Sequence, residues 1–374
     1  MEMKEREKLN NRNNKIIQII MEQIKSNCPD SIDMVAIGGS FCNGDIYEKS
    51  DLDLVIIYND EKAKCLDKCF ILGDVAMDVY THDWTSFEQM SNYQNPYVTK
   101  LIDLDIIYVH DENVLKYYES LQVKLKENMN NDSLVFKNIQ IHFNNLNDTF
   151  NKLKDIQNNI SLAYKYLAEI ISSSEYIIYM LNKTYVKRGT KRIPEEICNM
   201  AVLPNGFVDI YINITNCKTI DEIKEKATNL VICITKFLEP KGIKYMPDTS
   251  EKEETIEKKE LKPENLIGTY EEIYSNWKNK MYHAITIKSG YLSFVTMNSC
   301  QNFYDEMASI FDIPSIGLIE KYNPDDLEAN AKYFEECMEK WLELYKKNGI
   351  DINYYENLTE LENLYQNNNK SKNK

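Results

Sequence analysis

The segment IDMVAIGGSFCNGDIYEKSDLDLVIIY, residues 32–58, contains two short apolar runs that are separated by a glycine-rich turn. The first run, IDMVAI, ends at Gly38-Gly39-Ser40, and the second, LDLVIIY, begins immediately after Asp51. Short apolar runs that are rich in β-branched residues and bounded by turn formers are typical of strands. The segment therefore predicts a strand, a turn that opens a helix, and a second strand that begins at the aspartates.

Asp51 and Asp53 are separated by a single residue, Leu52. Alternate side chains of a strand share a face, so we expect the two carboxylates to project together while Leu52 points into the core. Two carboxylates on one face repel each other, and such a pair usually persists because a divalent cation lies between them. Ligation by oxygen alone favours Mg²⁺ or Mn²⁺ over zinc. Solvated carboxylates at a strand edge are the alternative interpretation.

The Gly-Gly-Ser turn supplies groups that can bind phosphate. Glycine lets the backbone approach a ligand closely, and backbone N–H groups together with the Ser40 hydroxyl can hold phosphate oxygens. Taken alone, Gly39-Ser40 could equally be an ordinary strand-to-helix turn with a capping serine. Beside a metal-binding carboxylate pair, however, a phosphate cradle indicates phosphoryl or nucleotidyl transfer, in which metal ions neutralise developing charge.

A third carboxylate is expected on a neighbouring strand. The runs VAMDVY at 75–80 and DLDIIYVH at 103–110 predict two further strands, so this part of the chain forms a small mixed sheet with helical connections. Asp78 lies within the first of these otherwise apolar runs, where an unpaired aspartate would be costly to bury. We therefore place Asp78 at the same site as Asp51 and Asp53.

The pattern Gly-Gly-Ser, ten residues, Asp-x-Asp and a later strand aspartate resembles the nucleotidyltransferase superfamily that includes DNA polymerase beta. Within it, the layout is most similar to the kanamycin- and lincosamide-type antibiotic nucleotidyltransferases. The resemblance implies that Gly39 and Ser40 bind the β- and γ-phosphates of ATP or another nucleoside triphosphate, while Asp51 and Asp53 hold Mg²⁺. Asp78 would complete the metal site or act as general base on an acceptor hydroxyl that attacks the α-phosphate and releases pyrophosphate.

The resemblance also implies that a helical domain closes over the site. In some relatives the general base is a glutamate of that domain, for which Glu169 and Glu175 are candidates here. A basic cluster at 183–192 follows a predicted helix end, and Lys187 and Lys191 are its candidates for contacting the triphosphate, where cations offset leaving-group charge. A solvated loop that complements the helix dipole is the alternative for this cluster.

The sequence predicts an α+β protein with an N-terminal nucleotidyltransferase domain followed by helical bundles. Its predicted parts are a catalytic domain at 1–122, a helical substrate or lid domain at 123–246, a charged linker or loop at 247–265, and a C-terminal helical region at 266–374. The last region carries no motif that indicates a family, but its segment YSNWKNKMY at 274–282 is unusually aromatic and amide-rich. This segment could line an acceptor pocket or serve helix packing.

The composition limits the classes of molecule that the protein is expected to bind. The 374 residues include 44 Lys plus Arg and 59 Asp plus Glu, giving a formal net charge of −15. This acidic balance argues against a general nucleic-acid binder, which needs a basic face. Nine cysteines without a regular frame, no signal-like N-terminus and no apolar run of about 18 residues favour a cytoplasmic protein outside the membrane. The oligomeric state is left open.

The function expected from the sequence is Mg²⁺-dependent transfer of NMP, in particular AMP from ATP, to a hydroxyl of a small molecule. The resemblance implies an aminoglycoside-like antibiotic as the analogous acceptor, and the acidic charge is compatible with it because polycationic acceptors favour an acidic cleft. Adenylylation of a protein or of an RNA end is an alternative within the same chemistry. A non-catalytic nucleotide-binding or antitoxin-like module is the alternative outside enzymes.

Overall fold

The computed structural model describes residues 3–44, 46, 49–247 and 258–363. Six strands within these residues form a mixed sheet in the order β5-β1-β2-β4-β3-β6. The strands are β1 Ile32–Ile37, β2 Leu54–Tyr58, β3 Lys68–Leu72, β4 Val75–His82, β5 Asp105–Val109 and β6 Tyr354–Tyr355.

The helices of the described residues surround this sheet and continue beyond it. They are α1 Met3–Asn27, α2 Gly39–Asn43, α3 Trp84–Ser91, α4 Thr99–Ile102, α5 Glu112–Asn130, α6 Asp132–Asp155, α7 Ile160–Leu181, α8 Ile193–Cys198, α9 Phe207–Ile212, α10 Ile220–Leu238, α11 Thr269–Ile273, α12 Asn279–Thr286, α13 Gly290–Ile310 and α14 Leu327–Lys347. A π-helical segment, Tyr274–Lys278, joins α11 to α12.

The sheet separates two apolar cores, and β2 contributes to both because its side chains alternate between the two faces. Leu54 and Ile56 join a smaller core with residues of α1, whereas Val55 and Ile57 join a larger core with the helices. The predicted α+β class is therefore confirmed. The four strands expected from the apolar runs are present, with β2 starting at Leu54 rather than at the aspartates.

Strands β3 and β6 were not anticipated from the sequence. β3 pairs antiparallel with β4 across the turn at Gly73, and β6 pairs parallel with β3. The last strand thus comes from the C-terminal region and completes the sheet of the N-terminal part. The larger core contains residues from Met34 to Tyr345, so it crosses the predicted domain boundaries, which stay a prediction.

The predicted linker at 247–265 falls largely on residues 248–257, which lie outside the described residues. Its far end forms a 3₁₀ turn, Pro263–Asn265, and Lys259 makes an isolated bridge to Phe311. Across the described ranges, we find no helix with the length and apolar character needed to cross a membrane.

Candidate active site

The turn between β1 and α2 packs directly against Asp53. The N–H of Gly38 donates a hydrogen bond to the backbone oxygen of Asp53 at 2.8 Å, and Gly39 has a positive φ of 65°. A Cβ on Gly39 would lie 1.7 Å from Asp53 Oδ2, so no side chain fits there. Gly39 is therefore required both by its left-handed backbone and by the carboxylate that it faces.

Asp51 and Asp53 lie in the extended segment just before β2, not inside the strand. The expected alternation nevertheless holds, because Leu52 between them is buried in the smaller core. The hydrogen bond from Gly38 fixes the backbone at Asp53 before the ladder to β1 begins at Leu54. The pair is thus held by the glycine turn rather than by sheet pairing.

The Ser40 hydroxyl fits a phosphate site. Its Oγ atom is buried and has no hydrogen-bond partner among the residues that the structure describes. A buried hydroxyl without a partner is costly, and a ligand oxygen at this place would satisfy it. Ser40 lies at the same cavity as the two aspartates, as the sequence predicted.

Asp78 lies on β4, the parallel neighbour of β2, where Leu54 pairs with Val79. Its Oδ1 atom accepts a hydrogen bond from Cys69 Sγ on β3, and its Oδ2 atom accepts one from Ser275 Oγ at 2.7 Å. Burial raises the pKa of Asp78 although both donors oppose the rise. The predicted third carboxylate is thus at the site, and it is held from two sides.

The electrostatics of the aspartates suit a cation. Burial, together with the charges of Asp53 and Asp78, raises the pKa of Asp51 to about 7, while Lys280 opposes the rise. Carboxylates that lie close together and repel one another are stabilised by a divalent cation between them, so this oxygen donor set fits Mg²⁺ or Mn²⁺. Among the described residues, however, no three His, Cys, Asp or Glu side chains are already arranged as a metal site.

A cavity of about 610 Å³ opens beside these residues. Gly39, Ser40 and the three aspartates line one side of it. The opposite sides are formed by the loop 187–191, by residues 97–104 around α4, and by the segment 275–283. This volume is within the range of small-ligand sites in proteins.

Comparison with known families identifies the segment that carries this geometry. Residues 17–163 match the family model of the nucleotidyltransferase domain. This segment is a nucleotidyltransferase domain. It contains the glycine turn and all three aspartates, which confirms the superfamily that the sequence pattern indicated.

Two further comparisons do not extend the assignment of this segment. A solved structure, a nucleotidyltransferase-like protein from Exiguobacterium sibiricum 255-15, is similar with 10% sequence identity and a TM-score of 0.38, over 61% of this chain and 75% of that chain. Comparison with curated proteins gives no match.

Of the basic cluster, Lys187 and Lys191 both line the cavity beside the aspartates, and their contact with a triphosphate stays a prediction. Arg188 also reaches it, but its guanidinium forms salt bridges with Glu195 at 3.1 Å and with Glu196 at 3.6 Å. The backbone N–H groups of Lys187 and Arg188 donate to Glu196 as well. This glutamate therefore holds the loop against the cavity.

The structure does not bring Glu169 to the site. Glu169 is exposed on α7, accepts a hydrogen bond from Thr149 of α6 at 3.2 Å, and is not part of the cavity wall. The expectation that it is a catalytic residue is corrected on this geometry, because its side of α7 faces α6 and solvent. The other candidate, Glu175, is buried and accepts hydrogen bonds from Tyr211 and Tyr291 instead of facing the cavity.

Sequence reasoning underestimated the C-terminal region. Ser275, Asn276, Asn279, Lys280 and His283 all line the cavity of the nucleotidyltransferase domain. The aromatic and amide-rich composition at 274–282 was the available signal, and helix packing was the favoured interpretation of it. Only the fold shows that one face of this segment turns towards the aspartates.

Proposed function

We propose that the protein is an Mg²⁺-dependent nucleotidyltransferase that transfers NMP, specifically AMP from ATP, to a hydroxyl of a small molecule and releases pyrophosphate. The observation that carries the proposal is the packing of Gly39 against Asp53 at a cavity that Asp51 and Asp78 also line. A glycine turn packed against clustered carboxylates at a ligand-sized cavity is the arrangement that this chemistry requires.

Each residue has a distinct part in the proposed reaction. Asp51, Asp53 and Asp78 would hold Mg²⁺, which neutralises charge on the phosphates when it is bound. Gly39 leaves room for the Asp53 carboxylate beside the turn, and the Ser40 hydroxyl would donate to a phosphate oxygen. These contacts hold the α-phosphate in place for attack by the acceptor hydroxyl.

Lys187 and Lys191 supply positive charge from the loop on the other side of the cavity. In the proposed reaction they offset the charge that develops on the leaving pyrophosphate. Because Glu196 fixes the backbone of this loop, the two lysines approach the polyphosphate from a defined direction. The three aspartates and the two lysines thus belong to different walls of the cavity.

The cavity has a different charge from the whole chain. Among the described residues that line it, basic side chains outnumber acidic ones, with Lys49, Lys100, Lys187, Arg188, Lys191 and Lys280 against Asp51, Asp53, Asp78 and Asp103. The net charge of −15 therefore gives no support for a polycationic acceptor at this place. The proposed acceptor is still a small molecule with a hydroxyl group. The resemblance suggests the aminoglycoside-like class, which is therefore one of the acceptors in the test.

The test measures pyrophosphate release from ATP and Mg²⁺ with neutral, anionic and aminoglycoside hydroxyl acceptors. We expect turnover with at least one acceptor, and its loss in the double variant Asp51→Asn, Asp53→Asn. Unchanged turnover in that variant would contradict the proposed site. In parallel, incubation with labelled ATP and cell extract shows whether label stays on protein or RNA, which the basic lining of the cavity also permits.

The outcomes separate the alternatives. Label on a macromolecule would replace the small acceptor by a protein or an RNA end. Tight ATP binding without pyrophosphate release under any condition would indicate a non-catalytic nucleotide-binding module.

A further inference from the structure

The segment 275–283 presents one helical face to the candidate site. Ser275, Asn276, Asn279, Lys280 and His283 recur at intervals that place them on neighbouring turns, and all of them line the cavity. The segment begins within the π-helical residues Tyr274–Lys278 and continues into α12. π-helical turns occur frequently at functional sites. This wall lies outside the matched residues 17–163.

The segment is anchored to the catalytic sheet at Asp78. Ser275 is buried, and its Oγ atom donates a hydrogen bond to Asp78 Oδ2 at 2.7 Å. On the preceding helix, the buried Glu271 accepts hydrogen bonds from the Asn353 N–H and the Tyr345 hydroxyl, and Asn353 leads into β6. The N-terminal end of the wall is therefore fixed relative to the sheet by these contacts.

Lys280 is a lysine of this wall that lines the cavity. It is exposed, whereas Ser275 and Asn279 on the same face are buried, so its side chain extends from the anchored part of the wall. Its charge acts on both Asp51 and Asp78. A lysine ammonium is a compact charge on a flexible stem with three donors, which suits a phosphate group.

We propose that Lys280 of the C-terminal region is a nucleotide-binding residue whose ammonium contacts the polyphosphate of the bound nucleoside triphosphate. Its ammonium and the Ser40 hydroxyl then contact the polyphosphate from separate walls of one cavity. The inference rests on the proposed function for the identity of the ligand. It makes the nucleotide site a joint product of the matched domain and the C-terminal region.

The chain contains a matched control for this lysine. Lys278 lies two residues earlier in the same segment, but its ammonium pairs with Glu335 of α14 at 3.4 Å and lies 4.4 Å from the ring centroid of Tyr274. Lys278→Ala and Lys280→Ala remove the same chemical group from the same segment. Only the second change removes a cavity-lining charge.

The experiment titrates the full-length protein with ATP and Mg²⁺, and separately with inorganic tripolyphosphate, by isothermal titration calorimetry. We expect Lys280→Ala to raise the Kd of both ligands about tenfold, the scale of one charge-assisted hydrogen bond. Lys280→Arg should restore binding to within about threefold, and Lys278→Ala should bind like the unaltered protein.

Equal binding by Lys280→Ala and the unaltered protein would overturn the inference, and so would an equal loss in Lys278→Ala. If the unaltered protein binds tripolyphosphate through Lys280 but releases no pyrophosphate with any acceptor, the proposed function fails while the binding role stands. If turnover is normal and Lys280→Ala binds ATP unchanged, only the inference fails. Absence of binding of either ligand to the unaltered protein would overturn both.

Discussion

At the scale of single residues, the contact between Gly39 and Asp53 is the most constrained feature of the site. It could be anticipated from the sequence, because the glycine turn and the aspartate pair are close along the chain and each has a local reason for its residue types. Ser275 and Lys280 could not be anticipated in the same way. Ser275 meets Asp78 from about 200 residues away, and no local pattern records such a tertiary contact.

Gly39→Ala should abolish turnover of the proposed reaction, while the protein still folds. The new Cβ would displace the Asp53 carboxylate, and misplacement of a catalytic group by about 1 Å can cost about 100-fold in rate. The matched control is Gly44→Ala: Gly44 also has a positive φ, 76°, but a Cβ there meets no atom of the described residues within 4 Å. Turnover and thermal melting are measured for both variants. Equal turnover in the two would show that the contact with Asp53 does not matter.

At the scale of elements, the strands nearest the site follow from their apolar runs, whereas β3 and β6 do not. β6 has two residues, and it is a strand only because β3 offers an edge beside it. Helix α7 illustrates the same limit for helices. Its two glutamates looked equivalent in the sequence, yet Glu169 is exposed and Glu175 is buried between α9 and α13, because the helix has one face in the core.

Burial raises the pKa of Glu175 to about 7, although the hydroxyls of Tyr211 and Tyr291 oppose the rise. The folded protein therefore keeps a proton there that the unfolded chain releases between pH 4.5, the ordinary value, and pH 7. The resulting loss of stability grows through this window and is complete above pH 7. The free energy of unfolding of Glu175→Gln, relative to that of the unaltered protein, should consequently rise by about 2 to 3 kcal/mol between pH 5 and pH 8.

Urea unfolding at the two pH values measures this difference. Glu169→Gln makes the same substitution at an exposed position of the same helix and is the control for the substitution itself. A stability difference for Glu175→Gln that stays constant with pH would refute a buried carboxyl with a raised pKa.

At the scale of the whole molecule, the end of the described chain returns to the N-terminal domain. Leu361 is buried in the smaller core that α1 and β2 also form, and Lys15 of α1 pairs with Glu362 at 2.5 Å. The charge distribution shows a second effect at this scale. The chain is acidic as a whole, whereas the described lining of its cavity is basic, so the net charge of the chain does not describe the charge that a ligand would meet there.

Leu361→Ala should lower the free energy of unfolding by about 2 to 4 kcal/mol, because it leaves a cavity in the smaller core. Val123→Ala is the control, as the Val123 side chain is 57% exposed and its truncation should change stability by about 0.5 kcal/mol or less. Chemical denaturation followed by circular dichroism compares the two. Equal effects would mean that residue 361 does not pack into this core.

The pairing of β6 with β3 has a consequence for the order in which the protein is made. β3 is complete once residue 72 has been synthesised, but its partner at 354–355 follows about 280 residues later. During translation this backbone edge is open, and an open edge can pair with other chains. The nascent chain therefore passes through a long interval in which its catalytic sheet is vulnerable to aggregation, and an expression fragment that stops before residue 354 would keep that vulnerability permanently.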